Sequence, residues 1–454
     1  MATPRGWREH GLATELFTDL YELRMLRAYW ELGMHETAVF SLFARKLPPR
    51  RNLLIACGIE PLLDEIAALR FSRESLDYLA TLDGFPEDFL RWLEQFRFTG
   101  EVHAVAEGTP VFANEPILEV VAPIAEAQLI ETLAMNMVTA ETVLASKAWR
   151  IVRAARGRPV VDFGGRRAHG LDSAISGARA FHIAGVSATS NCLAGQRYGI
   201  PVSGTVAHSF VEACESERAA MAAFARIFPG TVLLVDTYDT RQGVARVCEL
   251  ARELGEAFRI DAIRLDSGDL GALAKEAREM LDAAGLGQVK ILVSGGLGEE
   301  AVAALLAGGA PVDGFGVGTE MSVSEDAPAL DIAYKLTEYA GKGRLKLSSG
   351  KRTLPGRKQV FRRSEGGCAT GDVIARAEER VDGAPLLAPV MRGGERLAAA
   401  PSVPEIRART AEALAALPER VQDIAPADPP YPVEITPALE QHEREVRAAI
   451  RGAG

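Results

Sequence analysis

The stretch VKILVSGG, residues 289–296, decides the fold, because a short β-rich run ends directly in a glycine turn. An Ala-rich helical stretch follows after Gly298. A continuously apolar strand that leads into a helix is typical of a parallel sheet whose faces are covered by helices. The stretch therefore predicts one β/α unit of an α/β fold.

The same unit recurs from about residue 158 to 340. Each apolar run is followed by small or polar residues and then by an amphipathic or Ala-rich stretch. The runs are Pro159–Phe163, Ile183–Val186, Ile200–Thr205, Val232–Asp236, Ala262–Asp266, Val289–Val293 and Val312–Val317, with Tyr334–Tyr339 as a candidate eighth. Seven or eight units, with no Rossmann-type phosphate loop after the first, favour an irregular, TIM-like α/β barrel over an open sheet.

The flanking sequence has a different pattern. Strand-like runs lie around Val102–Val121, and a helical stretch from Glu126 to about Arg156 leads into the barrel. The tail returns to short strands and then to a helix, where Ser402 and Glu405 have capping-box spacing. We predict an α+β domain at 1–125, the α/β barrel at 126–340, and a C-terminal region at 341–454 that packs on the N-terminal domain.

The composition narrows the class of protein. The chain has 454 residues, of which 48% are apolar, enough for two or three domains with a sizeable core. Its net charge of −10 argues against general nucleic-acid or anionic-membrane binding. Five scattered cysteines without a CxxC pair favour reduced thiols over disulfides or structural zinc. With no signal peptide and no run of about 18 apolar residues, we expect a soluble cytoplasmic protein.

Catalytic residues of α/β barrels lie at the carboxyl ends of the strands. The segments at those ends are Asp162–Arg167, Ser187–Asn191, Gly204–His208, Asp236–Thr240, Arg264–Asp269, Ser294–Gly296 and Gly316–Glu320. Glycine-rich turns before helices expose backbone N–H groups that suit a phosphate. Arginines, carboxylates and a histidine join them, which indicates a bowl for an anionic, phosphorylated substrate.

Taken singly, these residues also have structural explanations. A lone histidine near a strand end, such as His208, is more often a hydrogen-bonded structural residue than a catalyst. Asp236 and Asp239 could cap helices, and Arg166 and Arg167 could be surface charges. The specificity of the pattern lies in the combination at one end of one barrel.

The order of five motifs resembles the nicotinate phosphoribosyltransferase family. The motifs are TDLYELRM at 18–25, DFGGRRAHG at 162–170, SATSNCLAG at 187–195, GTVAHSF at 204–210 and RLDSGDL at 264–270. The resemblance spans roughly residues 12–435. It implies an ATP-coupled, ligase-like enzyme that makes nicotinate mononucleotide and pyrophosphate from nicotinate and phosphoribosyl pyrophosphate for NAD biosynthesis. It also implies a homodimer whose active sites are shared between the barrel and the partner's N-terminal domain.

The resemblance assigns roles residue by residue. His208 matches the histidine that ATP phosphorylates, and Asp266 and Arg264 belong to the catalytic set. In the nicotinate pocket, Tyr21 stacks on the ring and Arg166 meets the carboxylate. The other pocket residues are Asp19, Phe163 and Thr205. Arg264, Asp266 and Asp269 hold the ribose and pyrophosphate with Mg²⁺, whose direct carboxylate ligand the motifs do not identify. Phosphate-binding residues are Asp269, Ser294, Gly295, Gly296, Gly318 and Thr319.

The resemblance also bears on the choice of substrate, through the position that Ser187 matches in the family. Nicotinamide-using relatives carry an Asp there, which would accept from an amide but repel a carboxylate. A neutral serine with Arg166 opposite therefore favours nicotinate.

Three alternatives stay open from the sequence. The decarboxylating, quinolinate-type phosphoribosyltransferase shares the barrel and the product, but is usually shorter and lacks the phosphorylated histidine. A metal-dependent hydrolase could use His169, His182, His208 and Asp236, although its usual HxH pair is missing. A non-catalytic, metabolite-binding barrel would be expected to have lost His208 or Asp266.

Overall fold

A computed structural model describes residues 14–348 and 352–452 and divides the chain into two compact units. The central unit is Lys147–Pro328, and the second unit combines the chain before Lys147 with the chain after Pro328. The compact units divide after Ser146 and after Pro328. The domain boundaries at 125/126 and 340/341 stay predictions from the sequence. Within the described residues, no helix is long and apolar enough to cross a bilayer.

The described chain before the central unit alternates helices and strands, and its last helix continues past Ser146. They are α1 (Leu20–Glu31), β1 (Thr37–Ala44), β2 (Leu54–Ile55), α2 (Ile59–Ala68), α3 (Arg73–Leu79), α4 (Glu87–Glu94), β3 (Glu101–Val105), β4 (Pro110–Val111), β5 (Pro116–Pro123), α5 (Ile124–Leu129) and α6 (Glu131–Ala154).

The central unit is a run of β/α units. They are β6 (Val160–Asp162), α7 (Leu171–Ile183), β7 (Ala188–Thr189), α8 (Cys192–Tyr198), α9 (His208–Ala213), α10 (Glu217–Ile227), β8 (Thr231–Leu234), α11 (Thr240–Leu254), β9 (Ile260–Leu265), α12 (Leu270–Ala283), β10 (Lys290–Ser294), α13 (Glu299–Ala307), β11 (Gly314–Val317) and α14 (Thr319–Ser322).

The chain after Pro328 is mainly strands, with three helices towards its end. They are β12 (Ile332–Tyr339), β13 (Lys342–Gly343), β14 (Lys358–Glu365), β15 (Cys368–Arg376), β16 (Ala384–Pro385), β17 (Leu387–Arg392), β18 (Glu395–Arg396), α15 (Val403–Ala415), α16 (Glu419–Gln422), β19 (Val433–Ile435) and α17 (Pro437–Gly452).

Six strands of the central unit form one parallel sheet in the order β7-β6-β11-β10-β9-β8. Its inner strands are rich in buried apolar residues, as expected of a parallel sheet covered on both faces. The hydrogen-bonded order has β7 and β8 at its two ends, so the ladder is a parallel half-barrel. An isolated parallel bridge joins Thr189 to Val202 beside β7.

Three predicted barrel strands are wrong. Residues 183–186 are the end of α7 and a turn in which Gly185 has φ +114°, and strand β7 begins only at Ala188. Residues 200–205 contribute one bridge rather than a strand. The candidate eighth strand is real, but as β12 it pairs antiparallel with β1 in the second unit. Hydrophobic patterning identifies a buried strand, yet it does not say which sheet the strand joins.

The second unit is built around antiparallel sheets. Its largest has the order β13-β12-β1-β5-β3-β17-β18, so the strands from the start and end of the chain interleave. Strand β17 pairs with β3, and β12 pairs with β1. A four-stranded sheet has the order β16-β14-β15-β19. The capping box predicted at Ser402 and Glu405 is confirmed at the start of α15.

A buried ionic cluster lies in the second unit, defined here as the Arg362 cluster. Arg362 on β14 makes a two-pronged contact with Asp372 on β15, with Nη2 2.6 Å from Oδ2. Tyr431 donates its hydroxyl to Asp372 Oδ1 at 2.9 Å, and its ring stacks on Phe112 at 3.9 Å between centroids. Glu115 lies beside them, fully buried, and its Oε2 accepts from the Phe112 amide.

Candidate active site

A cavity of about 740 Å³ opens at the carboxyl ends of the parallel strands in the central unit. Eleven residues predicted from the sequence line it together. They are Phe163, Arg166, Thr205, His208, Arg264, Asp266, Ser294, Gly295, Gly296, Gly318 and Thr319. The parallel sheet explains this gathering, because the carboxyl ends of its strands share one edge.

Arg264 is the centre of the pocket's hydrogen-bond network. It projects from β9 and donates through Nε to Ser294 Oγ at 2.7 Å and through Nη1 to Thr205 Oγ1 at 2.7 Å. Its Nη2 donates to Asp266 Oδ1 at 2.6 Å, and its guanidinium lies 5.4 Å from the ring centroid of Phe163. The guanidinium therefore links the end of β10 and the segment at 200–205 to the loop after β9.

Asp266 is held in its ionised form by this network. Burial raises the pKa of its carboxyl, but the hydrogen bonds from Ser294 and Arg264 and the electrostatic interactions with Arg264 and His208 outweigh that effect, so the pKa lies below its ordinary value. At neutral pH the pocket therefore contains a fixed negative charge.

His208 is the first residue of α9, and its ring is 40% exposed within the pocket. Its Nδ1 lies 3.2 Å from the hydroxyl of Thr237, and its Nε2 lies 3.7 Å from Asp266 Oδ2. One edge of the imidazole is thus oriented by protein groups while the ring stays open to a ligand.

Asp236, which sequence reasoning left as a possible helix cap, lies beside the pocket and is hydrogen-bonded to the loop that carries Asp266. The cap of α11 is Asp239, which accepts from the Gln242 amide. Asp236 Oδ2 instead accepts from the Asp266 amide and from the Ser267 hydroxyl, both at 2.8 Å. Its Oδ1 is buried and has no hydrogen-bond partner among the described residues. The sequence held one indication of this position, because Asp236 comes shortly after β8 just as Asp266 comes after the adjacent β9.

Two glycine turns form one wall of the pocket. Gly295 has φ +91°, and a Cβ there would lie 2.1 Å from the carbonyl oxygen of Asp266, so only glycine fits. Gly296 has φ +61°, and Gly318 lines the pocket beside Thr319. Arg166, from the turn after β6, is exposed in the same pocket, and no partner is recorded for its guanidinium among the described residues.

Two predicted site residues of the central unit do not line the pocket. The amide of Ser187 donates to Val160 at the amino-terminal end of β6, the edge of the sheet away from the pocket, and Ser190 lines the pocket instead. Asp269 caps α12 by accepting from the Ala272 amide at 3.0 Å. Neither residue contacts the network around Arg264.

Asp19 and Tyr21 belong to the second unit. Asp19 precedes α1, and its Oδ2 accepts from Thr132 Oγ1 at 3.0 Å. The Tyr21 side chain is 47% exposed. Burial, followed by the negative charges of Glu131, Glu22 and Asp19, raises the pKa of its phenol, so the hydroxyl stays protonated. Tyr21 therefore presents an exposed aromatic ring beside the acidic side chains of Glu131, Glu22 and Asp19.

The histidines of the hydrolase alternative do not gather. His182 is buried and its Nδ1 lies 2.9 Å from the Val186 carbonyl oxygen, whereas His169 is exposed. The described part of the chain contains no group of three or more His, Cys, Asp or Glu side chains that could hold a metal ion by themselves.

Comparison with known proteins identifies the family. The chain matches the nicotinate phosphoribosyltransferase N-terminal domain over residues 16–139, the nicotinate phosphoribosyltransferase family over 159–355 and its C-terminal domain over 380–443. It is 52% identical to a nicotinate phosphoribosyltransferase of Mycobacterium tuberculosis, covering 93% of this chain and 91% of that one. The enzyme of that name from Bacillus subtilis is 42% identical, over 83% and 79% of the two chains.

Solved structures agree with the sequence matches. The crystal structure of human nicotinic acid phosphoribosyltransferase is similar with a TM-score of 0.83 and 28% identity, covering 95% of this chain and all of that one. The motifs, the pocket and these comparisons agree, and the chain belongs to the nicotinate phosphoribosyltransferase family.

Proposed function

We propose that the protein transfers the phosphoribosyl group of phosphoribosyl pyrophosphate to nicotinate, forming nicotinate mononucleotide and pyrophosphate for NAD salvage. The observation that carries this proposal is the pocket around Arg264 and His208 in a chain 52% identical to a nicotinate phosphoribosyltransferase over nearly its whole length. The reaction needs room for a pyridine carboxylate and a doubly phosphorylated sugar, and the cavity volume is of the right order.

The glycine turns suit the 5′-phosphate of the sugar. Backbone amides at Gly295, Gly296 and Gly318, with the Thr319 hydroxyl, offer donors without bulky side chains. The nicotinate ring would lie against Phe163, with its carboxylate at Arg166. The support for Arg166 is that its guanidinium is exposed in the pocket and makes no hydrogen bond or ion pair with the described residues, whereas Arg264 already donates to Ser294, Thr205 and Asp266.

Catalysis then rests on charge. Departure of pyrophosphate from C1 of the ribose leaves oxocarbenium character, which the ionised Asp266 stabilises. The pyridine nitrogen of nicotinate attacks C1 with its own lone pair, so no general base is required. In this transfer step the pocket orients the two substrates, and the attacking nucleophile is the pyridine nitrogen of nicotinate rather than a protein side chain.

The carboxylates also fit Mg²⁺. The fit rests on Asp236 Oδ1, a buried carboxylate oxygen next to Asp266 that has no hydrogen-bond partner in the described part of the chain. Oxygen ligands of this kind are those that Mg²⁺ takes, usually alongside substrate phosphates. When bound, the ion would neutralise charge on the leaving pyrophosphate. Asp269, the cap of α12, is the weaker candidate for contacts in this region.

ATP coupling is proposed to run through His208. A ring nitrogen attacks the γ-phosphorus of ATP, the bond from that phosphorus to the β–γ bridging oxygen breaks, and ADP leaves. We assign Nε2 as the acceptor, because the Thr237 hydroxyl occupies Nδ1. Hydrolysis of the phosphohistidine to phosphate would drive transfer toward product.

The test is a product assay on the purified protein with phosphoribosyl pyrophosphate and either nicotinate, nicotinamide or quinolinate. We expect nicotinate mononucleotide from nicotinate, stimulated by ATP. Carbon dioxide release from quinolinate would favour the decarboxylating alternative. Turnover of none of the three substrates would favour the non-catalytic, metabolite-binding alternative.

Three further features are part of the proposal. The segment at 200–205, bridged to β7, would continue the half-barrel towards an irregular TIM-like barrel. The five free cysteines fit a reducing cytoplasm. The protein would be a homodimer in which Tyr21 and Asp19 complete the partner's nicotinate pocket.

A complementation experiment tests the shared site. Tyr21→Ala and Asp266→Ala should each be nearly inactive, because each removes one part of every site. Random re-association of the two variants makes about half the dimers mixed, each with one intact site, so recovery of roughly a quarter of wild-type activity is expected from two-fold geometry. No recovery in mixtures verified by mass spectrometry would mean that Tyr21 acts within its own chain.

A further inference from the structure

Beneath the pocket lies a buried lysine that the proposed chemistry does not use. Lys147, on the part of α6 that belongs to the central unit, has a side chain only 2% exposed. Its ammonium group lies 2.6 Å from Glu299, 3.1 Å from Asp326 and 3.3 Å from Glu320. An ammonium has three N–H donors, so one cation meets three carboxylates.

The lysine stays charged despite its burial. Burial lowers its pKa, but the hydrogen bond to Glu299 and the charges of Glu299 and Asp326 outweigh that effect, and the pKa of Lys147 is raised. Arg150, one turn further along α6, donates to Glu299 at 2.8 Å. Two cations on one helix therefore offset most of the negative charge of the three carboxylates.

The carboxylates follow the two glycine turns of the pocket. Glu299 begins α13 directly after the turn at 294–298, and Glu320 comes directly after Gly318 and Thr319. Asp326 lies just beyond α14. Each turn that we assign to the 5′-phosphate is thus anchored to Lys147 within a few residues of its own glycines.

The two turns also touch each other. A Cβ added to Gly298 would lie 2.9 Å from Glu320 Oε2, so the first turn lies against the side chain that follows the second. A small displacement of either turn would alter this contact. Lys147 is the group that joins both, since it contacts Glu299 and Glu320 at once.

The charge of Lys147 matters for phosphate binding because of its contact with Glu320. Glu320 lines the pocket, and its side chain is partly exposed there. A carboxylate without its cation would repel a phosphate bound on the same wall. Lys147 instead holds Glu320 Oε2 from beneath the pocket and lowers the negative potential next to the glycine amides.

We propose that Lys147 is a positioning residue for phosphate recognition, which fixes the two glycine turns as one cradle and restrains and neutralises Glu320 beside it. This inference rests on the proposed binding of the 5′-phosphate by Gly295, Gly296, Gly318 and Thr319. It gives Lys147 a role in ligand affinity without any contact to the ligand.

The experiment measures binding of ribose 5-phosphate by calorimetry, since this compound has the 5′-phosphate without the pyrophosphate or the nicotinate. Lys147→Met should weaken it about ten- to a hundred-fold, a loss of the size expected when one charge-assisted contact is removed. The KM for phosphoribosyl pyrophosphate should rise similarly, and the KM for nicotinate much less. Arg150→Met is the matched control, because it removes a cation bound to Glu299 but leaves the contact to Glu320.

A second substitution separates charge from folding. Adding Glu320→Gln to Lys147→Met should recover part of the lost affinity, because the unneutralised carboxylate is gone. If Lys147→Met does not fold, Lys147→Gln keeps an amide donor without the charge and gives the same comparison.

The outcomes distinguish the inference from the function on which it rests. Unchanged ribose 5-phosphate affinity in folded Lys147→Met overturns the inference alone, as does a loss that Glu320→Gln does not relieve or that Arg150→Met reproduces in full. Absence of ribose 5-phosphate binding to the wild-type protein overturns the assignment of the glycine turns, and the role of Lys147 with it.

Discussion

The pocket and the Arg362 cluster contain the same kinds of charged side chain but use them for different purposes. In the cluster, Arg362 and Asp372 are paired by two-pronged contacts, and Tyr431 and the Pro110 carbonyl occupy further donors and acceptors. In the pocket His208 is partly exposed, and beside the pocket Asp236 Oδ1 has no hydrogen-bond partner among the described residues. Charges that are paired internally stabilise a fold, whereas charges left partly unpaired are available to a ligand.

The largest expected effect lies in the pocket. His208→Ala should abolish ATP hydrolysis and the stimulation of transfer by ATP, because the phosphoryl acceptor is removed. Slow, ATP-independent transfer should remain, since the contacts to the sugar and ring are intact. The measurement is ADP release together with nicotinate mononucleotide formation, and His169→Ala, an exposed histidine outside the pocket, is the control. Acid-labile label from γ-labelled ATP, equal in His208→Ala and wild type, would contradict the assignment.

The next effect lies in the Arg362 cluster and should appear in stability alone. Arg362→Met leaves Asp372 buried without its cation, and breaking a buried pair in this way costs about 3–5 kcal/mol. Urea unfolding measures the loss, while kcat/KM per folded molecule should match the wild type. A fall in kcat/KM of the folded fraction would show that the two regions are not separate in function.

A smaller effect is expected for the pocket's exposed arginine. Arg166→Ala should raise the KM for nicotinate about ten- to a hundred-fold, because a charge-assisted hydrogen bond is worth about 1.5–3 kcal/mol. The unfolding free energy should change by less than about 0.5 kcal/mol, as for other exposed side chains. Arg167→Ala, an exposed neighbour that also lines the pocket, is the matched control. Equal increases in both substrates' KM values would point to a phosphate contact instead.

The smallest expected effect is on stability, and it tests whether the buried Glu115 carboxyl is protonated. Burial and then the nearby charge of Asp372 raise the pKa of Glu115 well above its ordinary value. A folded-state pKa above the unfolded one gives stability that is complete below the unfolded pKa and is lost as the pH rises through the folded pKa. Glu115→Gln keeps a neutral group that can accept from Phe112 and donate to Asp372, so the change should be below about 1 kcal/mol at acidic pH.

The pH dependence is the decisive measurement for Glu115. Urea unfolding from mildly acidic to alkaline pH should show that the wild type loses more stability than Glu115→Gln as the pH rises. Parallel curves for the two proteins would mean that Glu115 is not protonated in the folded chain at the start of the titration.

Sequence patterning captured local features and missed long-range ones. It identified β8, β9, β10 and β11 because each is a short apolar run, and the residues after them reach the pocket because parallel strands align their carboxyl ends. It misassigned Tyr334–Tyr339, whose partner β1 lies near the other end of the chain. No local pattern specifies such a partner.

Position along a strand decided which of the predicted site residues line the pocket. Ser187 precedes β7 rather than following it, so its side chain belongs to the other edge of the sheet, and Ser190 takes the place by the pocket. The contacts of Lys147 could not be predicted from the sequence. Nothing in the surrounding helix indicates that three carboxylates from a distant part of the chain converge on this side chain.

The interleaving of the two chain ends has a consequence for biosynthesis. Strands β1, β5 and β3 are synthesised early, but their flanking partners β12 and β17 come only after the whole central unit. At roughly 5–20 residues per second on the ribosome, the outer edges of β1 and β3 wait tens of seconds for their partners. Unpaired strand edges invite pairing with other chains. The nascent chain therefore exposes two unpaired strand edges during that interval, and a fragment that ends inside the central unit would keep both edges open.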